Sequence, residues 1–188
     1  MHSPYFPVPF SPGMLQGSAD GGYPHLVPRI TLADGSVLMP LAFFKDVRVT
    51  RRGRVTEIRW RQDALDRMGG KEARPDSRAT IETRYIFAPG KITREDRLRV
   101  AGGTPTRIDT EFASFSRGGA LQTPASVRFT RGEVRTFATK GYGSCAIKPG
   151  GGAYAATTGP FAEAISCTGQ PKLARDGTVT LSWMLSYN

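Results

Sequence analysis

The segment TIETRYIFAPGKITREDRLRV, residues 80–100, constrains this chain more than any other, because it pairs with itself. Folded about Ala88-Pro89-Gly90-Lys91, it sets Phe87 opposite Ile92 and Ile81 opposite Leu98, with Arg84 opposite Glu95 and Glu82 opposite Arg97. Opposite charges directly across a ladder attract, so one face becomes a salt-paired solvent surface. The other face carries apolar pairs at both ends, with Thr83, Tyr85, Arg94 and Asp96 between them. Pro89-Gly90 favours a type II turn, whereas tight hairpins prefer the I′ and II′ forms, so the turn alone leaves the register open.

Ionisable groups on a core-side face must be paired or must serve a ligand. Two readings of Tyr85, Arg94 and Asp96 follow. In the first they form a sugar-binding groove, with Tyr85 stacking a ring, Asp96 accepting hydroxyl protons and Arg94 holding a carboxylate. In the second Arg94 and Asp96 form an internal ion pair that bridges strands and Tyr85 covers it.

The remaining chain reads as short strands between turns. Glycine (22) and proline (14) are abundant and no clean helical window stands out, although Gln62 to Lys71 could make one or two helical turns. Leu26 to Leu32 and Val37 to Thr50 flank an Asp34-Gly35 hairpin turn, with Pro40 breaking or edging the second strand. Val55 to Arg61, Arg107 to Ser116, Ser126 to Thr130, Glu133 to Thr139 and Phe161 to Cys167 are further strands. Thr178 to Tyr187 alternates most regularly, pointing Val179, Leu181, Trp183, Leu185 and Tyr187 one way. Trp60 and Trp183 alternate with aliphatics and are assigned to the core. The expected fold is an all-β antiparallel sandwich of roughly ten or more strands with little helix. It would occupy residues 26–188 as one domain, behind an extended proline-rich arm over 1–25 anchored by Tyr5, Phe6 and Phe10. The chain's 188 residues suffice for a substantial core.

The charge is lopsided: 26 Lys and Arg against 16 Asp and Glu, a net +10, most of it arginine. Arginine makes planar bidentate contacts with carboxylate, sulfate and phosphate, so the charge fits an anionic partner: acidic polysaccharide, nucleic acid or an acidic membrane surface. The alternative is a plain solvated surface of arginines interspersed with Asp and Glu. Acidic polysaccharide leads. Arg48, Arg51, Arg52, Arg54, Arg59 and Arg61 do cluster near Trp60, but no RNP, KH or zinc-finger pattern accompanies them, so nucleic acid is a poor fit.

Familiar catalytic signatures are missing: no P-loop, no GxGxxG in a βαβ context, no HExxH and no GxSxG. His2 and His25 are the only histidines, so no multi-histidine metal site and no cofactor is expected. Tyr23-Pro24-His25 is the one constellation that could move a proton, as β-elimination beside a uronic carboxylate requires. Cys145 and Cys167 could form one disulfide in an oxidising compartment or remain two buried thiols. No stretch is long and apolar enough to span a bilayer as a helix. The opening MHSPYFPVPFSPGML has neither a basic n-region nor a continuous apolar run, so it does not read as a signal peptide. It reads as internal, and the expectation is a domain excised from a larger protein.

The run RYIFAPGKITREDRLRV, followed by the alternating strand RIDTEFASFS, resembles the β-sandwich modules of polysaccharide lyases, notably the heparinase II/III-like group. The resemblance extends over residues 26–116 as a pattern of strands and turns. It implies an accessory sandwich of an exported, periplasmic or secreted, polysaccharide-degrading enzyme, binding or framing an acidic glycan beside other domains of a larger chain. In those families catalytic Tyr and His sit largely at the interface with a helical domain, which this sequence lacks, and only Tyr23 and His25 offer a match. Two alternatives stay open: a β-eliminating lyase in its own right, and a structural module that makes protein contacts through its sheet faces and edges.

Overall fold

A computed structural model describes residues 26–69, 74–149 and 162–187. Fifteen strands follow one another along the chain. They are β1 (Arg29–Leu32), β2 (Val37–Met39), β3 (Lys45–Arg52), β4 (Val55–Gln62), β5 (Leu65–Arg67), β6 (Pro75–Asp76), β7 (Ala79–Ala88) and β8 (Lys91–Val100). The remainder are β9 (Pro105–Ser114), β10 (Ala120–Thr123), β11 (Ser126–Arg128), β12 (Val134–Lys140), β13 (Ser144–Pro149), β14 (Glu163–Gly169) and β15 (Thr178–Tyr187). They form two antiparallel sheets, one of seven strands in the order β13-β14-β9-β1-β2-β5-β6 and one of eight in the order β10-β11-β12-β15-β8-β7-β4-β3. No helix occurs among the described residues.

The sheets pack face to face over one apolar cluster. Ile30, Leu38, Ile108, Phe112 and Ile165 come from the seven-stranded sheet, and Ile81, Leu98, Phe137, Leu181 and Leu185 from the other. Phe112 on β9 meets Phe137 on β12 across the interface at 5.0 Å between ring centres. Each such side chain, once buried, contributes roughly 1.5–3 kcal/mol of hydrophobic free energy. The regular alternation of β15 sends Leu181, Trp183 and Leu185 into this core. Trp183 satisfies its indole N–H by donating to the Leu26 carbonyl at 2.7 Å.

The β7–β8 hairpin adopts the register that its charges ask for, pairing Ile81 with Leu98, Glu82 with Arg97, Arg84 with Glu95 and Phe87 with Ile92. Gly90 takes φ 69° after Pro89, the type II pattern, and the turn still closes on Ala88 and Lys91. The ten pairs of β8 with β7 and its nine with β15 outweigh the imperfect turn twist. The Asp34-Gly35 turn also forms: Gly35 has φ 81°, and Asp34 accepts the Ser36 N–H at 2.9 Å.

Two local expectations are corrected. Residues 62–69 make no helical turn; Leu65–Arg67 is a strand that pairs Leu38 with Arg67 and Met39 with Asp66. The single strand expected over 37–50 is two, because Pro40 and the following residues carry the chain from one sheet to the other. Phe43 at φ 64° and Asp46 at φ 54° mark that crossing. Ala120–Thr123 is a further strand, with all four side chains exposed.

Candidate functional site

Tyr85, Arg94 and Asp96 are brought together, and they are sealed inside. The inward row of the eight-stranded sheet runs Ile58, Tyr85, Arg94, Trp183 across β4, β7, β8 and β15, and the next runs Trp60, Thr83, Asp96, Leu181. Arg94 and Asp96 are both 0% exposed. Arg94 donates from Nε to Asp96 Oδ2 at 2.7 Å and from Nη2 to Oδ1 at 2.9 Å. It also donates to the Tyr85 hydroxyl at 3.1 Å, and Thr83 donates its hydroxyl to Asp96 Oδ1 at 2.6 Å. The guanidinium carbon lies 5.3 Å from the Tyr85 ring centre. Trp60 and Phe87 stack on either neighbouring side of Tyr85, at 5.5 and 5.8 Å.

The electrostatics follow from enclosure. Burial pushes the Tyr85 hydroxyl up to about 12, against the opposing pull of Arg94. Burial works against the Arg94 charge, but the Asp96 carboxylate outweighs it and holds the guanidinium charged more firmly than usual. Tyr142, also fully buried, is raised well above the ordinary tyrosine value by desolvation first. This is the arrangement of an internal ion pair covered by aromatic rings. The side chains of these strands that reach solvent lie on the opposite face of the sheet.

That opposite face is basic. One outward row runs Arg48, Arg59, Arg84, Glu95 across β3, β4, β7 and β8, and the next runs Arg61, Glu82, Arg97. Arg84 bridges Glu57 at 2.6 Å and Glu95 at 3.1 Å, while Glu57 also receives Arg59. Arg59 first and Arg84 second hold the Glu57 carboxyl below its usual range. Toward the far end of these strands the face dips into a groove of about 460 Å³. Arg61, Arg97 and Arg99 line it together with Asp63, Glu82 and Asp176, and Glu82 lies between Arg61 and Arg97 in the ladder. Among the described residues Arg97 and Arg99 make no ion pair within 4.0 Å, whereas Arg61 is matched by Asp46 at 2.7 Å. A second groove of about 430 Å³, bounded by Phe112, Phe115, Val134, Leu185 and Tyr187, is apolar and contains Glu133 but no arginine.

The groove on the basic face was hidden from sequence reasoning, which dwelt on the inward residues of the same hairpin. The signal was present: Arg97 and Arg99 share the outward parity of Arg84's partner Glu95. Tyr23 and His25 lie outside the described residues, as do Tyr5, Phe6 and Phe10. Cys145 and Cys167 stand directly opposite each other on β13 and β14 and are joined in a disulfide. Among the described residues no cluster of three or more His, Cys, Asp or Glu side chains is placed to hold a metal ion, and no helix is long and apolar enough to cross a membrane.

Fold and site together define an antiparallel β-sandwich with a buried ionic centre and a basic outer face. Its architecture is similar to that in the crystal structure of a mutant of heparan sulfate lyase HepC from Pedobacter heparinus, with a TM-score of 0.51 over 77% of this chain. The two are 10% identical, and the match covers 21% of that protein, so the likeness is one of fold. No protein-family model and no curated protein matches the chain.

Proposed function

We propose that this chain is a carbohydrate-associated β-sandwich domain, an accessory part of an exported polysaccharide-degrading enzyme, that binds or frames an acidic glycan on the outer face of its eight-stranded sheet. The observation that carries this reading is the groove lined by Arg61, Arg97 and Arg99 together with Asp63, Glu82 and Asp176. Guanidinium groups grip carboxylate or sulfate with two parallel N–H donors. The carboxylates among them accept sugar hydroxyl protons. Such a mixed wall suits a polyanion that is also rich in hydroxyls, better than a purely hydrophobic or purely phosphate ligand. The structural similarity to a polysaccharide lyase supports the carbohydrate setting. The disulfide supports an oxidising, exported location. A β-eliminating activity would rest on Tyr23 and His25, and no observation among the described residues favours it.

Titration calorimetry against a uronic-acid polysaccharide, a sulfated polysaccharide and neutral dextran tests the reading. Saturable binding to an acidic polymer, with none to dextran, is expected. Equal or absent binding across the three polymers would remove it.

A further inference from the structure

β3 is the last strand of the eight-stranded sheet, and among the described residues no strand lies beyond it. All of its residues are exposed. Gly53 takes φ 58° at the first central position of the Gly53-Arg54 turn, the glycine-first pattern of a II′ hairpin. The closing pair of such a turn, here Arg52 and Val55, exchanges both backbone bonds. Alternation then directs the N–H and C=O of Arg48, Thr50 and Arg52 toward β4, and those of Val49 and Arg51 toward the open edge. A row of unpaired backbone groups is a template for one more strand.

The side chains select what that strand can be. Val47 and Val49 are 59% and 58% exposed, and Val49 lies beside Ile58 on the same sheet face. Lys45, Arg59 and Arg61 are matched by Asp63, Glu57 and Asp46. Arg48, Arg51, Arg52 and Arg54 have no ion pair among the described residues, so the tip of the hairpin carries uncompensated positive charge. A second copy of this chain would set these arginines against their equivalents, and like charges across a ladder repel. A glycan backbone has no row of N–H and C=O groups at the two-residue repeat of a strand edge, so it cannot continue the ladder. The register shift between Lys45 and Arg48 ends the regular edge on one side and the Gly53 turn ends it on the other. The usable stretch is therefore short, and accepts a partner segment about six residues long.

We propose that the β3 edge is a docking site for an extended acidic segment of a protein partner, added as a further strand of the eight-stranded sheet. Its backbone would complete the bonds left open at Val49 and Arg51. Its carboxylates would face the arginines, and its alternate aliphatic side chains would cover Val47 and Val49. This is strand addition, in which main-chain bonds supply affinity and alternating side chains supply specificity.

The test is fluorescence anisotropy on the full chain with a labelled octapeptide in which valine alternates with glutamate and threonine. Val49→Pro deletes an outward N–H without touching the bonds to β4. Arg48→Glu with Arg52→Glu reverses charge at exposed positions, and a thermal melt checks that the fold is kept. Wild type should bind saturably, each variant should weaken binding at least about ten-fold, and a proline-bearing peptide should not bind. No binding by wild type, or binding that ignores both variants, overturns the proposal. A concentration-dependent dimer that Val49→Pro dissolves would assign the edge to a second copy instead. Binding of a sulfated oligosaccharide, but not the peptide, lost with the two arginines would assign it to a glycan; both results count against the proposal.

Discussion

Arg94 and Asp96 stand two positions apart on β8, and their fully buried side chains meet through two hydrogen bonds, of 2.7 and 2.9 Å. The twofold repeat of the strand puts both on the core face, and the bidentate grip lets each neutralise the other where water cannot. Thr83 and Tyr85, directly across on β7, complete the shell.

Removing one member leaves an uncompensated buried charge. Arg94→Leu should cost about 3–5 kcal/mol in urea unfolding, whereas replacing Arg94 and Asp96 together by leucine should recover much of that loss. Additive costs in the double-mutant cycle would show that the two charges do not depend on each other.

The disulfide closes a sequence separation of 22 residues between neighbouring strands of the seven-stranded sheet. Restricting the unfolded chain over that span contributes about 3 kcal/mol. Cys145→Ala with Cys167→Ala should lower the urea midpoint by the corresponding amount, and added reductant should have no further effect on that variant. A midpoint unchanged by the double replacement would contradict the linkage.

Acid should weaken the fold with a definite sign. The Ser36 backbone N–H first, and Arg78 second, hold the Asp34 carboxyl at about 2, and Arg78 lowers Asp76 likewise. Such depressed groups contribute stability above the unfolded value of about 4, and it is lost as pH falls through the folded value. Asp66 works the other way, because burial raises it despite the Leu41 N–H that it accepts, so its protonation favours the fold. Asp34→Asn should flatten the decline in melting temperature between about pH 4 and pH 2, whereas Asp66→Asn should remove the gain in stability that protonation of Asp66 brings as pH falls toward about 4 from above.

Two glycines with similar backbone angles should respond differently to alanine. Gly35 has φ 81° with open space around it, so Gly35→Ala costs only the left-handed strain of about 1 kcal/mol. Gly143 has φ 82°, and a Cβ there would meet the Gly169 Cα at 2.7 Å and the Thr168 carbonyl. Gly143→Ala should add crowding to strain and cost about 2–4 kcal/mol by denaturant unfolding. Equal losses at the two sites would refute the close approach of these backbones.

The legibility of the chain follows the range of the interactions involved. Glu82, Arg84, Glu95 and Arg97 encode their own register, so the hairpin could be read locally. The inward parity of Arg94 and Asp96 was equally plain, but whether that face meets water or a second sheet depends on Ile108 and Phe112, residues distant in sequence. Leu65 looked helical beside Ala64 and Met68; pairing with β2 overrode that weak local preference. The break at Pro40 was visible, whereas the transfer of β3 to the other sheet is a tertiary outcome. The groove at Arg97 and Arg99 needed Asp176, which only the return of β15 beside β8 brings near.

The most direct test of the account is an amide chemical-shift titration with a uronic-acid oligosaccharide at moderate salt. Binding at the proposed site predicts shifts concentrated on Arg61, Glu82, Arg97, Arg99 and Thr178, with loss of the response in Arg97→Ala combined with Arg99→Ala. Shifts spread over every basic surface and erased by salt, or unchanged by those two replacements, would contradict it.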